Sequence, residues 1–112
     1  MHQEEIREWA LSLPEVEESM PFGPDVVVFK TKGKIFLLLP LDTEVVQFNV
    51  KCDPERAIQL REEFPESILP GYHMNKKHWN TIRVDGRLKG SALKEHIQHS
   101  YELIRGKRRL EI

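Results

Sequence analysis

Apolar residues recur along the chain in two different periods, and the switches between them mark out the elements. Ile6, Trp9, Ala10 and Leu13 stand at i, i+3, i+4 and i+7, the spacing that gathers side chains on one face of a helix. Glu4, Glu5 and Glu8 fill its opening turns, where the helix dipole favours negative charge, and Pro14 closes it. Pro14 to Pro24 holds three prolines and one glycine and reads as an ordered loop. Val26 to Phe29 and Ile35 to Leu39 are unbroken apolar runs on either side of Lys30-Thr31-Lys32-Gly33-Lys34. That pattern predicts a hairpin with a short glycine-containing turn. Apolar runs without alternation predict strands that are covered on both faces or central in the sheet. Val45 to Val50 is a third strand.

Asp53-Pro54-Glu55 opens the second helix. Asp caps free amides, and proline suits the first helical position, where no amide partner is required. Ala57, Leu60 and Phe64 share a face, and Pro65 ends the run. The stretch from Ile68 to Asn80 is too irregular for a helix. Trp79 to Val84 reads as a strand, with Asp85-Gly86 as its turn. Leu93, Ile97, Ser100, Tyr101 and Ile104 line the last helix, with Ser91 as its cap and Gly106 as its stop. The order is helix, three strands, helix, one or two strands, helix (α-β-β-β-α-β-β-α). Sequential hairpin strands predict a small antiparallel sheet with the helices packed on one face, an α+β fold.

Length allows one such domain, spanning residues 1–112. No apolar run approaches the roughly 20 residues of a membrane helix. The opening His2-Gln3-Glu4-Glu5 is unlike a signal peptide, and the lone Cys52 allows no internal disulfide. The expected location is therefore the cytoplasm, with no membrane partner. Net charge is −1, but it is segregated. Residues 1–25 hold seven acids and one base, while residues 71–112 hold ten bases and four acids. Such a chain can present a basic face while staying near neutral overall.

No catalytic set emerges. His96 and His99 are three apart on the last helix, a spacing usual for solvent-exposed pairs, and His73 and His78 lie in the irregular segment. Zinc sites take three or four ligands, and no Cys pair or HExxH motif accompanies these histidines. Cys52 stands beside Asp53, which disfavours its thiolate. Neither a phosphate loop nor a nucleophile elbow is present. The expectation is a protein that binds rather than catalyses, without cofactor or metal.

Three basic features remain. Lys30, Lys32 and Lys34 alternate; if the strands continue through the turn they project to one side, as a wing laid on a phosphate backbone does. Lysines at a hairpin tip also simply solubilise it and block edge pairing. Tyr72 to Asn80 packs two lysines, two histidines, two asparagines, a tyrosine and a tryptophan into nine residues, a mixture suited to phosphate contact, hydrogen bonding and stacking. Trp79 fits a core position at a strand start equally well. Lys107-Arg108-Arg109 is the third feature.

Pro21 to Lys30, Pro70 to Thr81 and, more weakly, His99 to Leu103 resemble signatures of the MmcQ/YjbR family, and the likeness covers nearly the whole chain. The resemblance implies a CyaY-like (frataxin-like) fold and DNA binding through a double wing of hairpins. Carried over, the DNA-contacting candidates are Lys30, Lys32 and Lys34 together with the loop residues His73, Asn75, Lys76, Lys77, His78, Trp79 and Asn80. In that reading the lysines meet phosphates of double-stranded DNA, and Asn75, His78 and Trp79 read or pack against the nucleotide. The alternative is a non-enzymatic module for a protein partner or a small anionic ligand, with Tyr72 to Trp79 as a pocket wall.

Overall fold

The computed structural model describes residues 1–106; the basic run 107–109 lies outside the described residues. Helix α1 (Gln3–Ser12) is opened by a reciprocal cap. The Glu5 backbone N–H donates to His2 Nδ1, and the His2 N–H donates to the Glu5 carboxylate. This leaves fewer orphan amides at the helix start. Strands β1 (Val16–Ser19), β2 (Val26–Thr31), β3 (Lys34–Pro40) and β4 (Gln47–Lys51) follow. Then come α2 (Pro54–Glu63), β5 (Ile68–Pro70), β6 (Trp79–Arg83) and α3 (Gly90–Arg105). No helix among the described residues is long and apolar enough to cross a membrane.

The six strands form one sheet in the order β1-β2-β3-β4-β6-β5, antiparallel at every pairing. The α+β fold with helices on one face is as the periodicity predicts, with more strand than expected. Val16 to Ser19, read as loop, pairs with β2 in register Val16↔Thr31. Val16-Glu17-Glu18-Ser19 is mostly exposed and so carries no apolar alternation. It is an edge strand, where charge is tolerated and blocks further pairing. Arg7 of α1 ties it down, its Nε donating to Glu18 at 2.8 Å. The irregular stretch after Pro65 likewise contains β5, three residues long. The third strand begins at Gln47 rather than Val45. Ser91 does not cap α3: the cap position is Lys89, which makes no side-chain capping bond. Gly106 does end α3, in the left-handed conformation that glycine adopts without strain.

The unbroken apolar runs of β2 and β3 are explained by cover on both sides. Val27, Phe29, Leu37, Leu39, Phe48, Val50, Ile68 and Ile82 meet Ile6, Ala10, Leu93, Ile97 and Tyr101 in the main core. A register shift between Phe29 and Lys30 leaves Phe36 unpaired, and it too enters this core, edge-on to Tyr101. Ser100 stitches α3 to the sheet. Its hydroxyl donates to Phe36 O at 2.6 Å and accepts from the Lys51 N–H at 2.9 Å. On the opposite side, Val28, Leu38 and Trp79 form a second, smaller cluster, with Val26, Ile35 and Met74 packed against it. Among the described residues, no helix contributes to this cluster.

Candidate binding face

The helix-free side of the sheet is roofed by the segment Gly71–His78, and hydrogen bonds within that segment explain its shape. Gly71 N–H donates to Trp79 O, Met74 N–H to Gly71 O and Trp79 N–H to Asn75 O. Asn75 Oδ1 accepts from the Lys77 N–H at 2.9 Å, and Lys76 Nζ donates to Gly71 O at 3.2 Å. Tyr72 N–H donates to Thr81 Oγ1 at 3.0 Å, which anchors the loop to β6. A Cβ on Gly71 would stand 2.8 Å from Trp79 Cβ and 3.0 Å from Trp79 O, so this position is fixed by close approach of two backbones.

Under that roof lies a pocket of about 430 Å³, at the small end of the roughly 300–1,000 Å³ typical of ligand pockets. Its walls are mainly apolar, from Val26, Ile35, Leu38, Pro40 and Met74. Phe22 and Tyr72 stand on its rim, each 66% exposed. Tyr72 stacks at a tilt on His73, ring centroids 4.0 Å apart. Asp42, Thr43, Gln47, Asn49 and His73 supply its polar groups, and among the described residues no Lys or Arg lines it. Asn49 is 6% exposed, and its Oδ1 accepts from the Thr81 hydroxyl.

The residues picked out from sequence divide into three groups. His73, Asn75, Lys76, Lys77 and His78 are exposed on the loop, as a contact surface requires. Trp79 and Asn80 are not: they are 8% and 1% exposed. Trp79 fills the second cluster, and Asn80 pairs with Val50, whose side chain belongs to the main core. Neither can stack on or read a base from there. The hairpin lysines form the third group. Lys32 and Gly33 both have positive φ (52° and 75°), the signature of a two-residue type I′ turn. Lys30 therefore pairs with Ile35 and Lys34 with Thr31. Ile35 belongs to the helix-free side, whereas Thr31 is buried and accepts from Arg105 of α3 at 2.9 Å. Paired residues share a face, so Lys30 and Lys34 flank opposite faces. The one-sided lysine wing does not form, because the chain reverses at Lys32 instead of continuing through it.

The remaining candidates settle as structural groups. Cys52 is buried, and its thiol pKa is raised, first by that burial. His96, expected to be exposed, is buried; burial, aided by Arg56 and His99 against Glu95, lowers its pKa to about 4. His99 Nε2 accepts from the Asp53 N–H at 3.3 Å, joining α3 to the start of α2. Among the described residues, no group of three or more His, Cys, Asp or Glu could hold a metal ion.

The model of the family described as YjbR matches residues 11–103. The chain belongs to the YjbR family. Similar relatives include the uncharacterized protein YbdF of Escherichia coli O157:H7, 41% identical over 90% of this chain and 82% of its own. The uncharacterized protein YjbR of Escherichia coli K12 is 26% identical over 88% of this chain and 82% of its own. Among solved structures, Deinococcus radiodurans DR2400, a DUF419 domain, superposes with a TM-score of 0.89 at 35% identity, covering 95% of this chain and 80% of that one. A Pseudomonas syringae protein superposes at 0.76 with 26% identity, covering 92% and 98%. These YjbR-family likenesses fix ancestry and fold; the relatives' names carry no activity.

Proposed function

We propose that this YjbR-family chain is a non-enzymatic binding module whose site is the pocket on the helix-free face of its sheet. The observation that carries this reading is the pairing of an ordered apolar pocket with two large aromatic side chains left two-thirds exposed on its rim. Exposed aromatics around a concave apolar surface are the usual mark of a binding site. Among the described residues the wall has no lysine or arginine, so the pocket itself favours an uncharged ligand over an anionic one. Cys52, buried and with its thiol pKa raised, lies outside it.

The test is a thermal-shift panel of neutral, anionic and cationic aromatic fragments on the wild type and on Phe22→Ala/Tyr72→Ala. Ligand that binds the folded state raises Tm. A saturable rise with neutral fragments that the double variant loses supports the reading. No rise with any fragment contradicts it.

A second reading, binding of double-stranded DNA, draws on a separate observation. Among the described residues, Lys30, Lys32, Lys34, Lys76 and Lys77 take part in none of the ion pairs, which are made by arginines and His2. Lysines without acid partners are available to phosphates. Fluorescence anisotropy of a labelled duplex across salt concentrations tests this. Binding that weakens steeply with salt, and that Lys76→Glu/Lys77→Glu abolishes, supports it. Unchanged affinity in that variant, or no binding at low salt, removes it.

A further inference from the structure

We propose that the pocket takes a flat, uncharged, one- or two-ring molecule bearing a ring carbonyl, and that Asn49 Nδ2 donates to that carbonyl. This rests on the pocket being the binding site and goes on to name the chemistry it selects. Asn49 is a buried polar residue of the pocket wall, 6% exposed at the middle of β4. Its orientation is fixed by a relay. Thr81 Oγ1 accepts the Tyr72 N–H, so the hydroxyl proton is free to be given and points to Asn49 Oδ1. The other edge of the amide is its NH₂ group. Among the described residues, Asn49 Nδ2 has no hydrogen-bond partner. This NH₂ group stays accessible at the pocket wall, where an acceptor brought by a ligand can pair with it.

The rest of the wall narrows the class. Val26, Leu38 and Met74 offer apolar contact, and the volume is ample for a small bicycle. An ammonium group has no lone pair to accept from Nδ2. A carboxylate finds no Lys or Arg among the described residues of the lining and meets the Asp42 charge. A neutral carbonyl on an aromatic ring satisfies the donor and the walls together.

The probes are indan-1-one and indane, the same bicycle with and without the carbonyl. Full-length ¹⁵N-labelled protein is titrated with each, following backbone amides and the Asn49 side-chain NH₂. The expected result is tighter binding of indan-1-one by about tenfold, with the Asn49 NH₂ signals shifting. Asn49→Leu should erase the margin and leave indane binding as tight or tighter. The wild-type comparison stands alone if that variant does not fold. Equal binding of both probes, with Val26, Leu38 and Met74 amides shifting but the Asn49 NH₂ unmoved, overturns the carbonyl selection and keeps the pocket. If neither probe moves those amides, the pocket reading and this inference both fall.

Discussion

The two faces of the sheet are built from the same strands but finished differently. On the helix side, Phe29, Phe36, Phe48 and Ile82 are sealed under α1 and α3. On the other side, Val28 and Leu38 of the same strands cluster with Trp79 of β6, with Val26, Ile35 and Met74 packed against them. One face has its apolar surface fully spent on stability. The other keeps part of it open as a pocket with aromatic rims. If the proposed pocket is the binding site, alternate residues of β2 and β3 serve folding and binding in turn, and substitutions on the two faces should separate the two properties.

The largest effect belongs to the helix face. Phe48→Ala should cost about 3–5 kcal/mol, because a fully buried ring leaves a cavity that packed helices cannot close. Urea unfolding measures it, and a loss under 1 kcal/mol would deny the contrast.

The same face should respond to acid through His96. Its folded pKa, held by burial at about 4, lies below the ordinary 6.5. As pH falls, the unfolded chain takes up the proton first, so stability is whole above pH 6.5 and declines between pH 6.5 and 4. The loss attributable to this group is about 3 kcal/mol. His96→Leu should flatten that part of a stability–pH profile.

Gly71→Ala strikes the roof of the open face. Its new methyl meets Trp79, and overpacking of this kind costs about 1–3 kcal/mol. It should also weaken fragment binding, since the loop must lift. Tyr72→Ala is expected to be the mildest in stability, within about 0.5 kcal/mol for an exposed side chain, while lowering fragment affinity. Loss of affinity without loss of Tm would sharpen the division between faces.

Much of the fold was legible because it is written in periodicity. The 3.6-residue spacing of α1 and α3 and the apolar runs of β2 and β3 describe a one-sided helical layer with little ambiguity. Val16–Ser19 was not legible, since an edge strand with exposed acids has no apolar period to read. The site was legible in part. The density of functional groups in Tyr72–Asn80 marks the loop that roofs the pocket. Composition could not say that Trp79 and Asn80 turn inward while Tyr72 turns out. The lysine wing failed on turn chemistry, because Lys32-Gly33 takes the reversal that strict alternation would have carried past. Asn49 was missed altogether as a strand residue. Its signal, an amide between Phe48 and Val50 in a central strand, needs the pocket to give it meaning. Phe22 stood inside a family-like motif without any sign that it is exposed.

The most direct measurement is a map of backbone amide shifts with the protein saturated by indan-1-one. The account predicts changes confined to the helix-free face, at Val26, Ile35, Leu38 and Asn49 and along Tyr72–Met74, with Val27, Leu37 and Phe48 nearly still. Changes centred on Lys32–Lys34 and α3, or spread evenly over both faces, would contradict it.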